Sequence, residues 1–181
     1  MSLAHCYFSV SVALLVIFLL INPAFSDKKT QEMIDKVCRQ MEEYGFCNQT
    51  FNENLKTKST NYVDLTQITI DQVTRNATNT YEFVLQLLQN TSIEALKNAL
   101  RVCESSYQVV LGAFQDALRS FNQQDYDSMI KYERVTPKAQ GGCDACFNTP
   151  PIPANPLADR NRQIRILIAM AIVTGHELVT L

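Results

Sequence analysis

Between Leu96 and Phe121 the apolar residues fall at Leu96, Leu100, Cys103, Tyr107, Val110, Phe114, Ala117 and Phe121, in steps that alternate between four and three. A strand turns its side chains over every two residues and a helix every 3.6, so this register suits only a helix. The stretch predicts a long amphipathic helix that buries one narrow seam against neighbours. One such helix cannot cover its own seam, so the rest of the chain must supply partners.

The flanking sequence does so. Val63, Ile70, Val73, Ala77, Tyr81, Val84 and Leu88 repeat the spacing, and Asn90-Thr91-Ser92 separates the two stretches. Thr91 or Ser92 is expected to cap the second helix, with Glu94 or Ala95 in its first turn. So short a break makes the two helices antiparallel neighbours. A third helix is expected from about Asp125 through Met129, Ile130 and Tyr132. Pro137 removes a backbone donor and Gly141-Gly142 loosens the end, so a kink or stop is expected near Val135. The run Thr149 to Pro156 holds too many prolines to be helical. A fourth helix follows from Leu157 or Asp159, with Ile164, Ile168, Ala171, Gly175 and Leu178 on one face. The fold class read from this pattern is all-α: an up-and-down four-helix bundle over residues 61–181. Ahead of it, 27–60 reads as a helical hairpin. Lys28 to Glu43 is amphipathic with Met33, Val37 and Met41 inward, Tyr44-Gly45-Phe46 turns the chain, and Phe51 and Leu55 mark a second short helix.

The first 26 residues set the expected compartment. Val10 to Ile21 is an apolar run broken only by Ser11, and Ala24 and Ser26 sit at −3 and −1 of a cut before Asp27. This is the layout of a secretory signal peptide, and the run is shorter than the roughly 20 apolar residues of a membrane span. The alternative is an uncleaved amino-terminal anchor. Removal of Cys6 with the signal leaves Cys38, Cys47, Cys103, Cys143 and Cys146. In an oxidising compartment these are first a disulfide framework, with one cysteine left free or paired between chains. Cys38 and Cys47 flank the hairpin turn, and a bridge between them would contribute about 2–3 kcal/mol on the chain-entropy estimate. Asn48, Asn76 and Asn90 each begin an N-glycosylation sequon.

Little in the chain suggests catalysis. His176 is the one histidine after Asp27, and no Ser-His-Asp or Cys-His set can be built without it. Cys143-Asp-Ala-Cys146 has the CxxC spacing, but zinc would need a second ligand pair and redox chemistry a preceding strand. Glu42-Glu43 and the Asp125/Asp127 pair read as solvated acids on helix surfaces. No cofactor or metal is expected. The formal net charge is −2 with mixed signs and no basic stripe, which argues against nucleic acid as a partner.

Taken together, Cys38-x8-Cys47, Cys103-Glu-Ser-Ser-Tyr107 continuing to Ala117-Leu118, and Cys143-x3-Phe147 resemble the plant invertase and pectin methylesterase inhibitors. The resemblance spans about Gln31 to Leu178 and rests on four cysteines in order on helices. It implies bridges Cys38–Cys47 and Cys103–Cys143, with Cys146 spare, though Cys146 stays open as the partner of Cys103. A 103–143 bridge closes a loop of about 40 residues, worth roughly 4 kcal/mol on the entropic estimate. The resemblance also implies a secreted protein inhibitor, in the apoplast or cell wall or else the vacuole, that docks one-to-one on a carbohydrate-active enzyme. For invertase the contact would be a Pro-Lys-Phe motif matched here by Gln124-Asp125-Tyr126, with Asp125 where the family has a cation. An acid there repels catalytic carboxylates, and Asp125 reads equally as a helix N-cap. For pectin methylesterase the contact would be a face of the bundle, and the Gln/Asn/Thr-rich surface of the first bundle helix is a candidate. The invertase branch is the expected target, with the esterase as alternative. A non-inhibitory secreted interaction module is the reading from another class.

Overall fold

In the computed structural model, residues 27–148 and 154–180 are described. The expected signal segment and most of the proline-rich run lie outside them. Seven helices are present among the described residues: α1 (Lys28–Cys38), α2 (Tyr44–Asn54), α3 (Tyr62–Asn90), α4 (Glu94–Asn122), α5 (Tyr126–Glu133), α6 (Thr136–Ala145) and α7 (Ala158–Val179). Helices α3, α4, the α5–α6 pair and α7 close a ring in which each packs on the next. This is the four-helix bundle, with its third member broken in two.

The α4 seam is the centre of the core. Leu100, Cys103, Tyr107, Val110, Phe114, Ala117 and Phe121 are all buried. Leu96, in the first turn, is half-buried. The third helix breaks at Arg134-Val135, where Pro137 enters the first turn of α6. A proline is tolerated there because the first-turn N–H groups have no intrahelical acceptor. Helix α7 carries the expected face of Ile164, Ile168, Ala171, Gly175 and Leu178, and also buries Asn161, Ile166, Met170 and Thr174. It touches α3, α5 and α6, so more than one side is covered. Gly175 sits at a close approach: a Cβ there would lie 2.8 Å from Met129 Cε and 3.2 Å from Glu133 Oε2, so both side chains would have to shift to admit one.

Several local expectations are corrected. Helix α1 stops at Cys38 instead of continuing to Glu43, and its buried residues are Thr30, Ile34, Val37 and Cys38. Met33 and Met41 are only half-buried. The turn is Arg39 to Glu43, and Tyr44-Gly45-Phe46 forms the first turn of α2. The Cys38–Cys47 bridge, with Cα atoms 5.5 Å apart, explains the early stop. It pulls α2 back across the end of α1, which a continuing helix would prevent. Val63 is 40% exposed, and Tyr62 and Leu65 point inward in its place. A seven-residue step had put it on the inner stripe, but a straight helix drifts against a strict heptad. The helix expected through Met129, Ile130 and Tyr132 is present as α5, with Met129 and Ile130 buried and Tyr132 exposed. Neither Thr91 nor Ser92 caps α4: its N-cap is Ile93, without a side-chain bond, and Thr91 Oγ1 accepts from the Ile93 N–H.

The hairpin is held to the bundle mainly through α7. Glu43 accepts from Arg162 at 2.6 Å, Glu42 pairs with Arg165 at 2.9 Å, and Lys36 pairs with Glu177 at 2.5 Å. Such partly exposed pairs are worth a fraction of a kcal/mol each and fix orientation more than stability. They also account for Glu42-Glu43, which are structural clasps.

Candidate functional site

Gln124-Asp125-Tyr126 form the corner between α4 and α5, and it contains no free loop. The Gln124 N–H donates to Phe121 O at 2.9 Å and the Asp125 N–H to Ser120 O at 3.0 Å. This pair of bonds is a Schellman ending for α4. It requires a left-handed residue, and Gln124 takes that place with φ 60°. Asp125 is at once the last residue of this motif and the N-cap of α5. Its Oδ1 accepts from the Ser128 N–H at 3.1 Å. The bonds from Ser128 hold the Asp125 carboxyl below its ordinary range. Tyr126 is half-buried, its ring 6.0 Å from that of Phe121.

The corner is therefore stiff, exposed at Gln124 and Asp125, and negative. Both caps can be tested. Gln124→Gly is expected to raise stability by about 1 kcal/mol, because glycine occupies the left-handed region without a Cβ clash. Asp125→Ala is expected to lower it by about 1 kcal/mol through loss of the cap. Urea unfolding midpoints at constant slope measure both.

A second surface lies between α4 and α6. Val102 and Val109 are 44% and 49% exposed, two turns apart on α4. With Ser105, Ser106 and Ala139 they line an open groove of about 490 Å³, and Arg101 stands at its edge. Its floor is made of the small side chains of Ser105, Ser106 and Ala139. Exposed apolar side chains grouped on one face mark interaction surfaces. The sequence reading missed this groove because it followed only the inner seam. The signal was present, since Val102 and Val109 repeat at seven on the flank of the same helix.

Between α4, α6 and α7 sits a polar hub. Asn161 is fully buried at the start of α7. Its Oδ1 accepts from Tyr107 Oη at 2.8 Å and its Nδ2 donates to Asp144 Oδ1 at 2.9 Å. Its carbonyl oxygen accepts from Gln140 Nε2 at 3.3 Å. Burial raises the Tyr107 phenol far above its ordinary range, so it remains a donor. The Cys103–Cys143 bridge, with Cα atoms 4.4 Å apart, lies against this hub and joins α4 to α6. Cys146 is free and half-buried.

The remaining sequence candidates are scattered. His176, exposed on α7, accepts a hydrogen bond at Nε2 from Arg134. Asp127 lies in the first turn of α5, where an acid suits the helix dipole. The Gln/Asn/Thr face of α3 is largely self-satisfied: the Thr74 and Thr78 hydroxyls donate to the backbone one turn back. Asn76 faces α7 and donates to Gln163 Oε1 at 3.3 Å. Asn48 is half-buried and donates to Tyr44 Oη, whereas Asn90 is exposed at the end of α3. Among the described residues no group of three or more His, Cys, Asp or Glu could hold a metal ion. No described helix is long and apolar enough to cross a membrane.

The chain is thus a disulfide-tied helical hairpin packed on a four-helix bundle, with the α4–α5 corner and the α4–α6 groove as its surface features. The chain belongs to the plant invertase/pectin methylesterase inhibitor family, whose sequence profile matches residues 32–173. It is 24% identical over 154 residues to a pectinesterase inhibitor of Actinidia deliciosa, covering 83% of each chain. Two solved structures share the fold. A mutant form of a pectin methylesterase inhibitor from Arabidopsis superposes with a TM-score of 0.71 at 17% identity, over 79% of this chain and 95% of that one. A pectin methylesterase inhibitor from Arabidopsis thaliana gives 0.62 at 18% identity, over 81% and 96%.

Proposed function

We propose that this protein is a secreted, non-catalytic inhibitor of pectin methylesterase that acts in the cell wall by covering the esterase's cleft with the α4–α6 face. The observation that carries the reading is the groove itself. Val102 and Val109 expose apolar surface beside a floor of small side chains, on elements locked by a disulfide and a buried hub. A rigid apolar patch with a polar edge loses little entropy on docking. The curated relative from Actinidia deliciosa is named for pectinesterase, which favours the esterase over invertase as target. Of the three sequons, Asn90 is the exposed one, at the far end of α3 from the hairpin, and is the proposed glycan site.

Invertase is the second reading. The specific observation in its favour is that Gln124 and Asp125 are exposed and rigid at the corner where the family motif falls. Against it, the only formal charge in that triplet is the carboxylate of Asp125, which repels a carboxylate-lined cleft.

The test is inhibition by the oxidised domain of both enzymes side by side. Val109→Glu is expected to weaken esterase inhibition about tenfold or more, because a charge is then desolvated in the interface. Thermal unfolding should be unchanged, since Val109 is outside the core. Inhibition of invertase alone, or full esterase inhibition by Val109→Glu, overturns the reading.

A further inference from the structure

Three sulfurs converge where α6 meets α4. Cys103 is bridged to Cys143, and the free Cys146 follows one helical turn after Cys143. The sulfur of Cys146 lies 4.0 Å from that of Cys103. Its thiol donates to the Cys143 carbonyl at 2.9 Å and sits 3.5 Å from the Ala99 carbonyl. A free thiol this near a disulfide sulfur has both the nucleophile and the electrophile of an exchange in place.

The third requirement is a leaving group that the protein accepts. Asn161 supplies it. Its Nδ2 lies 3.5 Å from Cys143 Sγ and can donate to a thiolate, and its Oδ1, at 3.7 Å, can accept from a thiol. Asn161 is fully buried, and its position is fixed independently by Tyr107 and Asp144. Cys143 can thus be received in either protonation state.

We infer that Cys103 exchanges between two partners, Cys143 and Cys146, through intramolecular thiol–disulfide exchange supported by Asn161. The Cys146 thiol loses its proton and its sulfur bonds to Cys103 Sγ. The Cys103–Cys143 bond breaks, and Cys143 leaves as a thiolate that takes up the proton. One disulfide and one thiol stand on each side, so no oxidant or reductant is consumed. Burial raises the Cys146 thiol above its ordinary range, which makes the exchange slow in acid and faster in alkali. Val102 adjoins Cys103 and Ala139 lies one turn before Cys143, so the choice of partner sets how α6 sits against the groove.

The experiment uses the folded, oxidised wild-type domain, held at about pH 9 to populate the thiolate. Samples are acid-quenched, unfolded and alkylated with a maleimide at acid pH, and the labelled cysteine is located by peptide fragmentation. The expected result is label on both Cys143 and Cys146, in the same ratio across an about tenfold range of protein concentration, as an intramolecular exchange requires. Cys143→Ser is expected to fold with a Cys103–Cys146 bridge and no alkylatable thiol. Asn161→Leu is expected to shift wild-type label back towards Cys146. Label confined to Cys146 in the wild type overturns the inference, whether or not the variants fold. A partition that changes with protein concentration overturns it as well.

Discussion

Replacing Glu133 by Gln is expected to raise the stability of the domain by about 4 kcal/mol at pH 8 and to change it little near pH 4.5. Glu133 is fully buried in the last turn of α5, and neither carboxylate oxygen has a hydrogen-bond partner. Burial alone pushes its carboxyl from the ordinary 4.5 up to about 8. The neighbouring Arg134 turns to His176 on α7 and supplies no counter-charge. In the folded chain the group thus keeps its proton over a range where the unfolded chain has released it. Stability from the neutral form is complete below about 4.5, is lost steadily as pH rises, and levels off above about 8. Each pH unit in that window costs roughly 1.4 kcal/mol. Gln keeps the shape and removes the titration, so its stability profile should be flat there. Urea unfolding of both proteins from pH 4 to 9 measures this, and parallel profiles would refute it. Gly175 is part of the same arrangement, because the absence of a Cβ there lets Glu133 and Met129 pack closely against α7.

The second large effect is expected at Cys103. Replacing it by Ala should cost about 4 kcal/mol, from the entropy of a loop of about 40 residues. Replacing Cys47 should cost about 2–3 kcal/mol, because the loop it closes spans only nine residues. Cys143→Ala should cost distinctly less than Cys103→Ala, since Cys146 stands ready to take its place. Denaturant unfolding of the three variants gives the order. Equal losses at Cys103 and Cys143 would show that the native pairing alone supports the fold.

Together these two sites describe how the bundle manages its broken third helix. Helices α5 and α6 have eight and ten residues, short for independent stability. They are held from outside: α6 by the bridge to α4 and by Asn161, and α5 by its cap and by close contact with α7. The groove proposed as the docking face lies on the α6 half, held by the Cys103–Cys143 bridge and by Asn161. An inhibitor that works by obstruction benefits from such stiffness, because a surface ordered before docking need not be ordered during it.

The repeating apolar register was enough to establish an all-helical bundle, since a helix period over seven turns admits few alternatives. The break near Val135 was legible for an equally local reason: proline cannot continue a helix wherever it sits. The N-cap at Asp125 was also readable as one alternative, because a cap involves only neighbours in the chain. Tertiary packing decided everything that depends on two distant segments. The early end of α1 follows from a bridge to α2, and the exposure of Val63 from the slow drift of a straight helix against its neighbours. Nothing in the sequence around Glu133 sets it apart, and it is buried because α7 packs against it. Asn161 likewise becomes a hub only where α4, α6 and α7 meet. Local chemistry fixed the helices and those ends that a proline or a cap decides. Burial, charge state and the convergence of three cysteines are properties of the assembled bundle, because each depends on what a distant part of the chain brings alongside.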